Sequence, residues 1–179
     1  FSAGGGRGEP GAASRLNGSR GLQHQVEVLV RNFRVRGHRM ASLDPLGQIK
    51  KRLPELTPEY FGLTEEHMDM RFVAEFLAGG GTPTLREILA AARNTYCRGI
   101  GVQFMHIDNI NVRTWLQSRM ESTENRLQLS RTEQLRILTR LTDAVIFEEF
   151  IQKKYVGAKS FSLEGAETLI PLIDMAIER

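Results

Sequence analysis

The sequence predicts a mainly α-helical protein: an irregular helical domain of about six helices over residues 21–179, preceded by a flexible, Gly-rich N-terminal tail over residues 1–20. Two observations carry this prediction. Apolar residues recur at helical spacing in several stretches after Gly21, and sequences typical of helix N-termini precede most of these stretches. Because 41% of the residues are apolar, the chain has enough apolar surface to build a core.

The tail reads FSAGGGRGEPGAASRLNGSR and contains one acidic residue. Such a segment buries too little apolar surface to offset its ordering entropy, so we expect it to be flexible. Its composition resembles the remainder of a mitochondrial presequence, and an ordinary linker is the alternative. The presequence interpretation predicts a location in the mitochondrial matrix or on the matrix side of the inner membrane.

The first predicted helix begins at Gly21 and ends at Gly37. One face of this helix carries the apolar residues Leu22, Val26, Leu29, Val30 and Phe33. A turn follows over residues 43–47, because a proline disfavours helical backbone at the residue before it and Gly47 permits a positive φ.

Three more helix starts are predicted in the middle of the chain. Pro58 suits a first helical position, and Thr64 can cap a second helix. After three glycines at 79–81, Thr84 and Glu87 have the spacing of a capping box and open a third helix. The apolar stripe of this helix consists of Leu85, Ile88, Leu89, Ala92 and Tyr96.

Beyond these helices, residues 100–104 alternate between apolar and small or polar, which predicts either a short strand or an ordered connector. Asn109 or Asn111 can cap the helix that follows. The last helix should run from about Glu164, and Pro171 can be accommodated in it only by a kink or near its first turns.

The longest helix is predicted between these elements. Ser130 and Glu133 have capping-box spacing and open a helix that runs to about Lys154. Its apolar residues cover two sides, so we expect it to be broadly buried and central to the fold.

Composition argues against several classes of function. No apolar run approaches the roughly 20 residues of a spanning helix, so no transmembrane segment is expected, and peripheral association with a membrane complex is left open. The single Cys97 cannot form an internal disulfide, which favours a reducing compartment. The four histidines are scattered, so no metal site is predicted. Cys97 and His106 could in principle form a nucleophile and a base, but nucleophilic catalysis also needs a third group that orients the base. The sequence offers no such group beside them, so no catalytic site is predicted there.

The densest cationic stretch contains Arg31, Arg34, Arg36, His38 and Arg39. No interleaved aromatic residues suited to base stacking accompany it, so we interpret it as a solvated or interface-forming helix face. The formal net charge of +3 is also small. No nucleic-acid partner is therefore expected, and Arg31 and Arg34 are candidate protein-contact residues.

Seven short strings, in order, resemble the N-terminal region of the first, thiamin-diphosphate-dependent component of 2-oxoglutarate dehydrogenase over about residues 21–179. They are Arg36-Gly37-His38, Leu43-Asp44-Pro45-Leu46-Gly47, Phe61-Gly62-Leu63, Thr84-Leu85-Arg86-Glu87-Ile88, Tyr96-Cys97 with Ile100-Gly101-Val102-Gln103-Phe104-Met105-His106, Phe147-Glu148-Glu149-Phe150 and Lys159-Ser160-Phe161-Ser162-Leu163-Glu164-Gly165.

The resemblance implies a helical part that precedes the thiamin-diphosphate-binding domains of an enzyme that decarboxylates 2-oxoglutarate in the citric acid cycle. This sequence contains no Gly-Asp dipeptide, so the family's Gly-Asp-Gly motif for the metal-diphosphate is absent, as is its His-Arg-Gly-Arg-Leu stretch. The resemblance places only Phe161 at a position lining the family's substrate pocket. Gln103 and Ser160 replace charged residues of the family pattern.

We therefore expect no cofactor and no enzyme activity in this chain alone, with thiamin diphosphate and Mg²⁺ bound only if the family's later domains complete it. The first hypothesis is a non-catalytic structural or assembly subunit of a mitochondrial multiprotein complex. The alternative is an N-terminal fragment or split half of an active 2-oxoglutarate dehydrogenase. Both need protein partners, and the candidate contacts at the C-terminal helix are Leu169, Leu172, Ile173 and Ile177.

Overall fold

A computed structural model of the chain describes residues 12–44, 46–47, 52–75, 77 and 79–178, with side chains from Arg20 onward. Five α-helices and four short 3-10 helices account for the regular structure of these residues, which contain no β-strand. The α-helices are α1 (Ala12–Arg36), α2 (Leu85–Tyr96), α3 (Ile110–Thr123), α4 (Arg131–Lys154) and α5 (Leu169–Ile177). The 3-10 helices span Gly37–Met40, Pro54–Leu56, Pro58–Phe61 and Glu65–His67. The predicted helical class is confirmed, with five α-helices instead of about six.

Helix α1 begins at Ala12, well before the predicted start at Gly21. Alanine, arginine and leucine between residues 12 and 16 favour a helix, and the abundant glycine of the whole tail concealed this preference. The flexibility of the tail stays a prediction, because residues 1–11 lie outside the described part of the chain. The predicted end at Gly37 is confirmed, since a 3-10 helix follows Arg36.

The predicted caps open three of the helices. The Thr84 and Ser130 hydroxyls each accept a hydrogen bond from the backbone N–H of the glutamate three residues later, at 3.3 Å in both cases. Each glutamate carboxylate in turn accepts from the cap residue's backbone N–H at 2.8 Å. Asn109 caps α3 by accepting from two backbone N–H groups. The starts at Pro58 and Thr64 open 3-10 helices, and residues 100–104 form a connector.

The chain forms two compact units, one up to Arg126 and one from Leu127, and the helical domain that the sequence predicts over 21–179 includes parts of both. In the first unit, α1 packs on α2 and α2 packs on α3. The predicted apolar stripes of α1 and α2 supply most of the core. Its fully buried members on these two helices are Val26, Leu29, Val30, Phe33, Leu85, Ile88, Leu89, Ala92 and Tyr96.

The contact between the residue that follows α1 and the end of α2 depends on a glycine. A Cβ at position 37 would lie 2.6 Å from the Cβ of Tyr96 and 3.2 Å from its carbonyl oxygen. Real Cβ atoms essentially never come within 3.0 Å of such an atom, so a glycine at position 37 allows the chain just after α1 to pack against Tyr96.

The second unit consists of α4 and α5 packed together with their connections. The prediction that α4 is broadly buried and central is wrong, because none of its residues is fully buried. Apolar residues on two sides of α4 predicted its burial. In the structure, however, α5 is short and covers little of the longer helix. Helix α5 begins at Leu169, later than the predicted Glu164, because residues 163–166 form a turn in which Gly165 has a φ of 85°. Pro171 lies in its first turn, as predicted.

Candidate docking surface on the second unit

Helix α4 exposes large apolar side chains on several sides. Six of them are between 45% and 66% exposed. They are Leu135, Leu138, Val145, Ile146, Phe147 and Phe150. Burying exposed apolar surface is favourable by roughly 25 cal/mol of free energy per Å². Large contiguous apolar patches on a protein surface mark interaction sites. The helix therefore presents a surface that suits another polypeptide.

Helix α5 continues this pattern with the four contact candidates that the sequence predicts. Leu169, Leu172, Ile173 and Ile177 are 48%, 66%, 47% and 78% exposed. Their side chains are thus available on the surface, and their contact with a partner stays a prediction. We call the exposed apolar residues of α4 and α5 together the docking surface.

A cavity of about 400 Å³ opens within this unit. Its walls come from the segment before α4, from α4 and from α5, and all but one of the lining residues are apolar. They are Leu127, Leu129, Ile137, Thr168, Pro171, Leu172, Met175 and Ala176. The volume suits a bulky apolar side chain of a partner. Leu172 belongs to both the cavity and the docking surface.

An ion-pair cluster holds α5 on α4. The Arg136 Nε donates to Asp174 at 2.8 Å, the Arg140 Nε lies 3.2 Å from the same carboxylate, and Arg136 also bonds Glu178. The hydrogen bond from Arg136 holds the pKa of Asp174 below its usual value, and the same guanidinium lowers the pKa of Glu178. These pairs fix where the apolar residues of α5 stand relative to those of α4.

One buried carboxylate oxygen of α4 lacks a donor among the described residues. The Oε2 of Glu148 accepts a weak hydrogen bond from the Leu163 backbone N–H at 3.4 Å, whereas Oε1 is buried without a partner among the described residues. An unsatisfied buried acceptor is destabilising by about 1–3 kcal/mol.

The three remaining predicted residues have different surroundings. Phe161 is 83% exposed, and the Nζ of Lys159 lies 5.7 Å from the centre of its ring, so it does not line an enclosed site here. Arg31 is exposed. The Arg34 side chain is only 10% exposed and pairs with Glu121, so its guanidinium is not offered to a partner. Sequence patterns missed this pair because Glu121 lies 87 positions away.

The described residues contain no group of three or more His, Cys, Asp or Glu side chains placed to hold a metal ion. Over the same residues, no helix is both long enough and apolar enough to cross a membrane.

Comparison with known proteins gives clear relatives, although no family model matches the chain. It is 39% identical over 177 residues to the 2-oxoglutarate dehydrogenase E1 component of Azotobacter vinelandii, which covers 97% of this chain and 19% of that protein. It is 44% identical over 158 residues to the multifunctional 2-oxoglutarate metabolism enzyme of Mycolicibacterium vanbaalenii, covering 87% of this chain and 13% of the relative.

A third relative is the 2-oxoglutarate dehydrogenase E1 component of Brucella ovis, 36% identical over 154 residues, with 85% of this chain and 15% of the relative covered. The chain thus spans less than a fifth of the length of the curated relatives it matches. These relatives are bacterial and do not point to a mitochondrion. The chain is a homologue of the N-terminal part of 2-oxoglutarate dehydrogenase E1 components, as its sequence motifs predict.

Proposed function

We propose that this chain acts as the N-terminal helical part of a 2-oxoglutarate dehydrogenase E1 component, and that its docking surface packs on the domains that bind thiamin diphosphate. The observation that carries the proposal is the exposure of large apolar side chains along α4 and α5. A short helix pair with so much exposed apolar surface gains stability when further polypeptide covers it.

The relatives suggest which polypeptide covers it. Their names describe enzymes of 2-oxoglutarate metabolism, and more than four fifths of their length lies outside the match, since the chain covers at most 19% of them. The family resemblance places the thiamin-diphosphate domains in that remainder. In this proposal the remainder carries out the decarboxylation of 2-oxoglutarate, and this chain supplies a packing surface that orders it.

The first hypothesis from the sequence, a structural subunit of a mitochondrial complex, gains nothing from these relatives, which are enzymes from bacteria. The mitochondrial location stays an untested prediction. The alternative, an N-terminal part of an active dehydrogenase, agrees with the match to the relatives' N-terminal part.

The proposal is tested by assembling the two parts in trans. The 179-residue chain is co-expressed with the part of the Azotobacter vinelandii E1 component that it does not match. We expect the two chains to purify together and to release carbon dioxide from 2-oxoglutarate in the presence of thiamin diphosphate and Mg²⁺. The 179-residue chain alone should show no such activity and no thiamin diphosphate binding.

Matched variants locate the contact. Leu172→Asp places a charge in the docking surface, and Ile110→Asp places the same charge at a 62% exposed position on α3 in the first unit. We expect co-purification to be lost with Leu172→Asp and kept with Ile110→Asp. Deletion of residues 164–179 should also abolish it. Undiminished association of Leu172→Asp and of the deletion would rule out the docking surface as the contact.

A further inference from the structure

The first unit contains a second concave surface that the docking proposal does not use. It is a cavity of about 540 Å³ between the end of α1, the 3-10 helix Pro54–Leu56 and the end of α2. Its apolar lining consists of Phe33, Met40, Leu53 and Leu56, together with the thiol of Cys97. Its polar lining consists of Arg52, Thr57, Arg93, Asn94 and Arg98. We call it the arginine cavity.

Among the described residues of the first unit, some arginines pair with a carboxylate and others do not. Arg34, Arg36, Arg86 and Arg126 each pair with a carboxylate of the same unit. Arg52, Arg93 and Arg98 have no carboxylate partner for their side chains among the described residues. Three arginines without a carboxylate partner therefore line one cavity, which gives the cavity a positive potential.

The positions of two of these arginines have a partial explanation in the helix itself. Arg93 lies in the last turn of α2 and Arg98 just beyond its end, where cations are favoured by the helix dipole. Arg52 comes from a different segment, and the dipole of α2 does not account for its presence in the same cavity.

We infer that the arginine cavity binds a small organic anion in which a phosphate or a pair of carboxylates is joined to an apolar group. Guanidinium groups bind phosphate and carboxylate oxygens through directed, charge-assisted hydrogen bonds. The partly exposed side chains of Met40 and Cys97 in the lining suit the uncharged portion of such a molecule. The volume lies in the range of small-molecule sites, which are concave and mostly apolar with a few polar groups.

The proposal is tested by titration calorimetry of the whole 179-residue chain with phenyl phosphate, which combines the two features. Inorganic phosphate lacks the apolar group and phenol lacks the charge. We expect phenyl phosphate to bind about tenfold more tightly than either, because both halves of the cavity contribute. Binding should weaken at about 1 M salt, since exposed charges are then screened.

Two further ligands sharpen the assignment. Phthalate carries two carboxylates on an apolar ring, and tight binding of either phthalate or phenyl phosphate supports the proposal, the tighter one identifying the anionic group. A short polyglutamate peptide tests an acidic protein segment instead. Binding of that peptide with equal or higher affinity than phenyl phosphate would overturn the small-molecule site.

Protein variants test the position. Arg93→Gln with Arg98→Gln should weaken phenyl phosphate binding about tenfold, because two charge-assisted hydrogen bonds are lost. Arg20→Gln with Arg31→Gln removes the same charge from exposed positions of α1 outside the cavity lining and should leave affinity unchanged. Since all four side chains are exposed, folding should persist, and circular dichroism checks this.

A second readout uses the single cysteine. Cys97 lines the cavity, so bound phenyl phosphate should slow its alkylation by a maleimide, and this protection should be lost in the Arg93→Gln, Arg98→Gln variant. Equal weakening by the two double variants, no protection of Cys97, or no binding at millimolar concentrations would each contradict the inference. None of these outcomes depends on the remainder of an E1 component.

Discussion

Arg34 on α1 and Glu121 on α3 form a two-point ion pair, with Nε 2.7 Å from Oε1 and Nη2 3.1 Å from Oε2. The hydroxyl of Tyr96 on α2 donates to the same Oε1 at 2.7 Å. One carboxylate therefore joins three helices of the first unit. Burial, and then the neighbouring Glu121 carboxylate, raise the pKa of Tyr96, so its hydroxyl remains a donor.

Glu121→Gln should destabilise the first unit strongly. The substitution leaves the Arg34 guanidinium, whose side chain is 10% exposed, without its counter-charge. Removing one partner of a buried ion pair costs about 3 kcal/mol or more. Urea unfolding followed by circular dichroism measures this loss.

The matched control for that change is Glu65→Gln, because Glu65 is 77% exposed and pairs with Arg86 at the surface. Surface pairs contribute about 1 kcal/mol or less. Equal losses in the two variants would show that the buried pair is no more important than the exposed one.

Gly37→Ala should lower stability because of the contact between α1 and α2. The added Cβ would lie 2.6 Å from the Cβ of Tyr96, and the two helices must separate to relieve this overlap. Overpacking of this kind costs about 1–3 kcal/mol. The free energy of unfolding in urea checks the expectation.

Gly21→Ala, within α1, should have the opposite effect on stability. A Cβ at position 21 meets nothing within 4 Å, so the alanine should stabilise α1 by about 0.5–1 kcal/mol. A loss of stability from Gly21→Ala, or a gain from Gly37→Ala, would contradict the packing seen here.

Much of the fold could be predicted from local sequence. Capping boxes act over four residues, so the starts of α2 and α4 are correct, and the apolar stripes of α1 and α2 form the core as predicted. The pairing of Arg34 with Glu121 could not be predicted, because it joins residues 87 positions apart.

Only part of the docking surface could be predicted from the sequence, for a related reason. The apolar residues Leu172 and Ile177 are evident in the sequence, and they are exposed in the structure, while their contact with a partner stays a prediction. Periodicity does not distinguish a helix side that enters a core from one that another polypeptide covers, so α4 was assigned to the core. The arginine cavity combines residues from three segments, and no local pattern relates Arg52 to Arg98.

Acid should weaken the attachment of α5 to α4. The pKa values of Asp174 and Glu178 are lowered by Arg136 in the folded chain, so their charged forms stabilise it. This contribution is fully present above the ordinary carboxyl pKa of about 4 and is lost as the pH falls through the lowered folded values. Protection of the α5 amides from hydrogen exchange, corrected for intrinsic rates, should therefore decrease below about pH 4.

Arg136→Gln tests the cause of that pH dependence. Without the guanidinium, the carboxyl pKa values of Asp174 and Glu178 should rise towards their ordinary values, as measured by carbon-13 NMR titration. Protection of α5 should then be weaker at neutral pH and should change less with acid. Unchanged titration of both carboxyls in Arg136→Gln would refute the role assigned to this arginine.

Phe147→Ala should leave the isolated chain nearly as stable as before, even though phenylalanine is a large apolar residue. Its side chain is 66% exposed on α4, and substitutions at such positions usually change stability by less than about 0.5 kcal/mol. Phe72→Ala is the matched control, because Phe72 is 4% exposed in the core of the first unit and its truncation should cost about 3–5 kcal/mol.

When the remainder of an E1 component is present, Phe147→Ala should weaken co-purification, because the substitution removes a ring that the remainder covers. If Phe147→Ala instead destabilises the isolated chain as much as Phe72→Ala does, then the ring is already buried in this unit and α4 does not form a docking surface.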